Sequence, residues 1–422
     1  MKIQSLTGMH DILPEDQLYF QKVQKTVENI ANYYGFSKIE TPILELAEVF
    51  SKGVGAATDI VEKETYAFKT KGGDLVSLRP EGTAPVMRSY IEHGMHNLVQ
   101  PVKLWYLGPF FRQERPQAGR FRQFHQFGFE VLGEQSPSID GQIVQMSYDV
   151  LKELFFKNIT IEVNSIGDSE CRPYFKKILA SYFRSRKSSL CSNCQRRLKE
   201  NPLRILDCKE EKCQRVKSDA PQIIDHLCEN CHAHFKQVLE FLDELELPYT
   251  LNPYLVRGLD YYTKTVFEIV ENTKDGRTQG ALLAGGRYDN LSKILGGRNT
   301  PACGVAGGIE RIVSLMKTRK VKKAKVMEPK IFLAQLGQLA KRKGLKLFEE
   351  FRSSGISVAE SFSKDSLRTQ LRTADKMGIR WVLIFGQKEA LEGFITLRDM
   401  KTGTQKEIKL DKVVKEMKNK LK

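Results

Sequence analysis

No stretch of this 422-residue sequence reaches the roughly 18 apolar residues of a membrane-spanning helix. Its first residues, MKIQSLTGMHDILPED, hold no apolar core of signal-peptide length. These absences argue against a helical membrane protein and lead to the expectation of a soluble, cytoplasmic one. There, the eight cysteines are expected to be reduced thiols, metal ligands or redox groups, not a disulfide frame. Collagen-like tracts, long disordered runs, internal repeats and low-complexity blocks are missing as well, and 41% hydrophobic content is that of a globular chain. Neither a GxxxxGK[ST] loop nor a GxGxxG after a strand occurs. Any nucleotide bound here must therefore be held by something other than a glycine-rich phosphate loop.

Positive charge is abundant. Lys and Arg number 67 against 51 Asp and Glu, a formal +16, which favours a polyanionic partner such as nucleic acid. A generally basic protein without such a partner has the same count. The length suits two or three domains. Gln17 to Tyr34 reads as a helix, with Phe20, Val23, Val27 and Ile30 on one stripe. From Val102 to Leu132 the period is two, so strands are expected. Glu170 to Arg186 reads as a helix capped by Asp168 or Ser169. VFEIV and ALLAGGRYD read as strands after a cysteine-bearing segment, Cys191 to His234. Thr318–Pro329 is short, basic and closed by proline, and reads as a linker. Beyond it IFLAQL, GISVAES, WVLIFG and FITLRD alternate with helical stretches, as in a small α/β domain.

The stretch FRQERPQAGRFRQFHQFGFE (Phe111–Glu130) holds four arginines and five phenylalanines. Arginine is costly to bury unpaired, and phenylalanine is wasteful to expose. Read as two strands joined by RPQAGR, it sorts by alternation. Phe121, Phe127, Phe129 and Val131 share one face with Gln123 and His125 between them. Arg122, Phe124, Gln126, Gly128 and Glu130 share the other, and Arg112 and Glu114 share a face of the first strand. The first face suits a core. The second suits a nucleotide beside a polar ligand: Phe124 to stack on a base, Arg112 to clamp a phosphate, Glu130 and Gln126 to receive an ammonium or ring N–H. A solvated outer face of an antiparallel sheet is the competing reading.

Four further stretches have the same character. LRPEGTAP sets Arg79, Glu81 and Thr83 beside a glycine turn. LVRGLDYYTKTVFE sets Arg257, Asp260, Tyr261 and Tyr262 around Gly258; on a strand the two tyrosines would face opposite ways, so only one would meet a ligand. AGGRYDNL offers close backbone approach at Gly285 and Gly286. GVAGGIERI reads as strand, glycine gap and a helix from about Ile309. Arg311 would then oppose the helix dipole in its first turn, which an anion explains better than stability does.

Together these residues resemble a known family. FRQERPQAGRFRQFHQFGFE is similar to the second signature motif of class II aminoacyl-tRNA synthetases and GVAGGIERI to the third. LVRGLDYY and AGGRYDNL resemble the two signatures of histidyl-tRNA synthetases, and GMHDILPED and LRPEGT fit the N-terminal part of that family. The resemblance implies an α+β chain. Residues 1–325 would form an antiparallel-sheet class II catalytic domain with a helical, cysteine-bearing insertion at about 170–240, and 326–422 an α/β anticodon-binding domain. It implies ligation of L-histidine to tRNA(His) through a histidyl-adenylate, with ATP and Mg²⁺, by a homodimer. By the same resemblance Arg112 and Arg257 are catalytic at the α-phosphate. Arg120 and Arg311 also belong to the ATP site, where Glu114 meets the adenine edge and Phe124 stacks on the ring. Glu81, Thr83 and Gln126 would hold the α-amino group, and Glu130 and Tyr262, with Tyr261 nearby, the imidazole. Arg115 and Gln117 are candidates for the acceptor end of the tRNA.

Cys191–Cys194 and Cys228–Cys231 are CxxC pairs with Cys208 and Cys213 between, a pattern open to zinc or to packed thiols. No residue is assigned to a metal on this reading, and Cys171 and Cys303 read as packing. A regulatory relative serving histidine biosynthesis, a non-catalytic RNA-binding protein and a synthetase for another amino acid are the alternatives. The first should lack the C-terminal domain and several of these side chains.

Overall fold

A computed structural model describes residues 3–55, 58, 60–114, 119–272, 280–324 and 328–421. α1 (Pro14–Tyr33) starts with proline at its first turn, where the missing N–H costs nothing. It buries Val23, Val27 and Ile30, whereas Phe20 of the expected stripe is only half-buried. β1 (Ser37–Lys38) follows, then a small antiparallel sheet of β2 (Leu44–Leu46), β3 (Ala67–Lys69) and β4 (Leu75–Leu78), with α2 (Ala47–Phe50) between its strands. α3 (Thr83–Glu92) leads to a long hairpin, β5 (Val102–Phe111) and β6 (Gln123–Leu132). α4 (Pro137–Glu153) and β7 (Ile159–Ser165) precede an insertion made of α5 (Arg172–Arg184), α6 (Ser192–Glu200), α7 (Glu211–Lys217) and α8 (Glu229–Glu244). β8 (Tyr249–Leu251), β9 (Thr263–Glu271), β10 (Leu283–Arg287), α9 (Leu291–Ile294), β11 (Ala302–Gly308) and α10 (Ile309–Thr318) complete the first compact unit, Met1–Ala324.

Eight strands form one sheet in the order β1-β5-β6-β11-β10-β9-β7-β8. All neighbours are antiparallel except the outermost pairs, β1 with β5 and β7 with β8. One face buries Phe127, Phe129 and Val131 of β6 against α1, α4, α8 and α10. The other face carries Tyr106, Phe110, Tyr261 and Tyr288 and meets the insertion. The sheet is thus a floor with helices below and a polar-aromatic layer above.

Register explains the glycines of this upper face. Tyr106 of β5 lies opposite Gly128 of β6, and a Cβ on Gly128 would overlap the Tyr106 ring. Glu130 lies opposite Gly304 of β11, where a Cβ would overlap the Glu130 carboxylate. The gap at Gly128 is therefore filled from the neighbouring strand.

Below the sheet, Arg287 is fully buried at the end of β10. Its Nε donates to Asp140 Oδ2 at 2.7 Å and its Nη1 to Asp289 Oδ1 at 3.0 Å. It also donates to the carbonyl oxygens of Glu134 and Ser136, tying α4 to the sheet. Burial would raise the Asp140 carboxyl, but the Arg287 charge and the His234 contact leave it below its usual range. Removing one partner of such a pair strands a buried charge. Arg287→Met is expected to lower the stability of this unit by about 3–5 kcal/mol in urea titrations, more than Asp289→Asn at the half-buried edge of the network.

The second compact unit, Lys325–Lys422, holds β12 (Ile331–Gln335), α11 (Gln338–Ser353), β13 (Val358–Glu360), α12 (Leu367–Lys376), β14 (Trp381–Phe385), α13 (Gln387–Glu392), β15 (Phe394–Asp399), β16 (Gln405–Lys409) and α14 (Val413–Lys420). Its sheet order is β13-β12-β14-β15-β16, parallel through β13, β12 and β14 and antiparallel at β15 and β16. α13 and the edge strand β16 were not expected; QKEIK buries only Ile408, too little to mark a strand by pattern. α14 buries Val413 and Met417 one turn apart and keeps its lysines outside. α5 begins after Cys171 with no side-chain cap, not after Asp168 or Ser169 as expected.

Candidate active site

A cavity of about 440 Å³ opens on the upper face of the first unit. β5, β6, β9, β10 and β11 supply its floor, and the turn before α3, the loop before β9 and residues near Cys208 supply its walls. Glu81 sits at the α3 turn, where its carboxylate accepts from the backbone N–H groups of Thr83 (2.8 Å) and Ala84 (2.9 Å). The Tyr261 hydroxyl donates to it at 3.3 Å. Burial pushes the Glu81 carboxyl up, against those hydrogen bonds and the Arg112 charge.

Thr83 donates its hydroxyl to Glu130 Oε1 at 2.7 Å. The Tyr288 hydroxyl donates to the other Glu130 oxygen. Glu130 is 0% exposed and lies one hydroxyl behind the cavity wall, deeper than alternation suggested. Burial raises its carboxyl to about 8 despite these donors. Gln126, four residues earlier on the strand, reaches the wall, and its Oε1 is buried without a hydrogen-bond partner among the described residues.

Arg112 lies just past β5. Its Nε donates to the Pro80 carbonyl at 2.9 Å and its guanidinium stands 5.4 Å from the Phe124 ring centre. Glu114 is 3.7 Å from Arg112 and 3.5 Å from the exposed Arg120. Arg311, from the first turn of α10, donates to the Ala281 carbonyl at 3.2 Å, and burial with Arg120 nearby pulls its pKa down. A cation at a helix N-terminus beside a second cation is poorly placed for stability. Arg257 pairs with Glu268 of β9 and lies 5.3 Å from the centre of the Tyr262 ring. Its buried Nε has no partner among the described residues.

Three expectations fail here. Arg122 does not line the cavity: its side chain donates to the carbonyls of Glu114 (3.2 Å) and Thr7 (3.3 Å) and holds the N-terminal segment. Phe121 is not in the core but lines the cavity, its ring centre 4.3 Å from that of His10 and tilted by 44°. β6 begins only at Gln123, so alternation does not extend to these two residues. Tyr261 and Tyr262 both line the cavity, because they stand in the turn before β9 and not on a strand; their ring centres are 4.7 Å apart. Arg115 and Gln117 lie outside the described residues.

Four residues of the site went unassigned from sequence. Tyr106 fills the space over Gly128. Tyr288 and Glu268 were quoted within motifs but given no part. Glu310 accepts from the His125 backbone N–H at 2.8 Å and from His125 Nδ1 at 2.8 Å, fixing α10 to β6. Its place, next to an arginine after a glycine run, was the available signal.

A family profile described as histidyl-tRNA synthetase matches residues 8–171 and 185–312, more than half the chain. The chain belongs to the histidyl-tRNA synthetase family. A second profile, an anticodon binding domain, matches residues 330–420. The chain is similar to a histidine–tRNA ligase of Dehalococcoides mccartyi, 44% identical over 99% of this chain and 100% of that one. A histidine–tRNA ligase of Syntrophotalea carbinolica is likewise 44% identical over 97% of each. Among solved structures, apo histidyl-tRNA synthetase of S. aureus is 33% identical, with a TM-score of 0.81 over 98% of this chain and 99% of that one. This histidyl-tRNA synthetase family member has the class II antiparallel catalytic sheet and a separate C-terminal α/β domain. Among the described residues no helix is long and apolar enough to cross a membrane.

Proposed function

We propose that this chain is a histidine–tRNA ligase: it joins L-histidine to ATP as histidyl-adenylate, releases pyrophosphate, and passes the histidyl group to tRNA(His), releasing AMP. Membership of the family supports the reaction class. The observation that carries the assignment to this cavity is a pair of buried polar atoms of opposite sense, both from residues that line it and both without a partner among the described residues: Gln126 Oε1 and Arg257 Nε. A buried acceptor and a buried donor without partners are each costly unless a ligand answers them. A zwitterionic amino acid answers both, its ammonium on the Gln126 side and its carboxylate on the Arg257 side.

On this reading Glu81, Thr83 and Gln126 hold the α-amino group, with Tyr261 orienting Glu81. The imidazole enters between Tyr262 and the Thr83–Glu130 bond. Glu130 Oε1, here occupied by the Thr83 hydroxyl, becomes the acceptor for a ring N–H, and Tyr262 offers a hydroxyl to the other ring nitrogen. The adenine stacks on Phe124, its edge meets Glu114, and Arg311 and Arg120 flank the phosphates. Arg112 and Arg257 bracket the α-phosphate, where charge grows as the histidine carboxylate oxygen attacks. The new bond joins that oxygen to the α-phosphorus, and the bond to the pyrophosphate oxygen breaks, carrying its electron pair away. Magnesium enters with ATP, held mainly by the phosphates.

The C-terminal unit reads the tRNA and the net positive charge adds attraction for it. A dimer and a cytoplasmic location follow from the family alone. The test is ATP–pyrophosphate exchange. Exchange is expected with L-histidine, with other amino acids neither supporting nor inhibiting it at equal concentration. Exchange driven by another amino acid would overturn the choice of substrate.

A further inference from the structure

We propose that the insertion carries two mononuclear tetrahedral metal sites for a thiophilic divalent ion such as zinc: one of Cys191, Cys194, Cys208 and Cys213, the other of Asp168, Cys171, Cys228 and Cys231. The pairing departs from the sequence pattern. The two CxxC pairs do not join each other; each meets a different second pair, and Cys171 is drawn from the far side of α5.

In each group the four ligand atoms lie within 4.8 Å of one another. An ion with sulfur at about 2.3 Å in a tetrahedron sets neighbouring sulfurs about 3.8 Å apart. Cys191 Sγ and Cys208 Sγ are 3.9 Å apart. In the second group Asp168 Oδ1 is 3.8 Å from Cys171 Sγ and 4.0 Å from Cys228 Sγ. These spacings fit one ion at each centre and are too tight to enclose a cluster of several irons. A disulfide would join only two of the four sulfurs in the first group and two of the three in the second, and all eight cysteines are free.

The surroundings suit thiolates. Cys171, Cys191 and Cys228 stand at the N-caps of α5, α6 and α8, where the helix dipole favours negative sulfur. Backbone N–H groups point at sulfur: Cys194 N to Cys191 Sγ at 3.4 Å, and Cys191 N to Cys213 Sγ at 3.2 Å. Such N–H contacts are the usual outer support of metal-bound thiolates. The segment also needs a staple. α6 buries only Cys194 and α7 only Cys213 along their own lengths.

Both sites brace cavity walls. Beside the first, Arg204 donates to the Gly258 carbonyl at 2.7 Å, one residue from Arg257. Beside the second, Arg172 donates to the Tyr262 carbonyl at 2.6 Å.

The test is metal content of the full-length protein, purified reduced and then loaded with Zn²⁺ or Co²⁺. Two equivalents of zinc per chain are expected, and the cobalt form should show thiolate-to-metal absorption with tetrahedral ligand-field bands. Cys194→Ser with Cys208→Ser should remove one equivalent, and Cys171→Ser with Cys231→Ser the other. A wild-type protein that binds neither ion while all eight thiols remain titratable would overturn both sites. One equivalent in the wild type, lost in only one variant pair, overturns the other site. Iron with acid-labile sulfide overturns the single-ion assignment.

Discussion

Glu130→Gln is expected to lower kcat/KM for histidine in pyrophosphate exchange by about 10³-fold while making the ligand-free protein more stable at alkaline pH. The loss follows from what Glu130 offers a ligand. Its carboxylate is the fully buried acceptor behind Thr83, and a pocket built on satisfied polar pairs discriminates strongly when one is removed. The gain in stability follows from the same burial. Folding raises the carboxyl from an ordinary 4.5 to about 8. Between those values the native state keeps a proton that the unfolded chain has released, so unfolding becomes easier as pH rises. The contribution of Glu130 is full below about pH 4.5 and is lost on passing pH 8. Glutamine does not titrate. The variant's unfolding temperature should therefore pull ahead of the wild type's from about pH 5 to about pH 9, across the interval of that shift. Parallel curves across that range would show that Glu130 is not the buried acid described here.

Arg257→Ala is expected to reduce the exchange rate by about 10²–10³-fold, with a smaller change in the KM for histidine. Arg257 is held by Glu268, lies over Tyr262, and has its Nε free to meet a ligand oxygen. A fixed cation at that point acts on charge that grows during reaction, which is why kcat should fall more than binding. Arg257→Lys should restore only part of the rate, since an ammonium cannot reproduce the planar fork that spans Glu268 and a phosphate. Near-native exchange in the alanine variant would remove Arg257 from the chemistry.

Residues with strong local periodicity were legible. The β5–β6 hairpin, the start of α10 at Ile309 and the alternating elements after Pro329 all follow from patterns within about ten residues. What was missed depends on pairing between distant segments. Gly128 signals a gap in sequence, but only the register with β5 says that Tyr106 fills it. Tyr261 and Tyr262 could be placed only by knowing that β9 begins at Thr263. Arg122 has the character of a site residue, yet β6 starts one position later and leaves it to bind backbone. The cysteine spacing marks two CxxC pairs, but only the fold shows that each meets a different second pair of potential ligands. Each miss is a long-range contact that a one-dimensional pattern does not encode.

The central claim is that one cavity holds histidine and ATP with their reacting atoms between Arg112 and Arg257. It is tested most directly by a crystal structure of the protein with histidine and a non-hydrolysable ATP analogue. The account predicts the ammonium within hydrogen-bond distance of Gln126 Oε1 and Glu81, the ring nitrogens facing Glu130 and Tyr262, adenine on Phe124, and the α-phosphate touching both arginines. Histidine bound elsewhere, or bound here with Gln126 Oε1 and Arg257 Nε still unpaired, would contradict it.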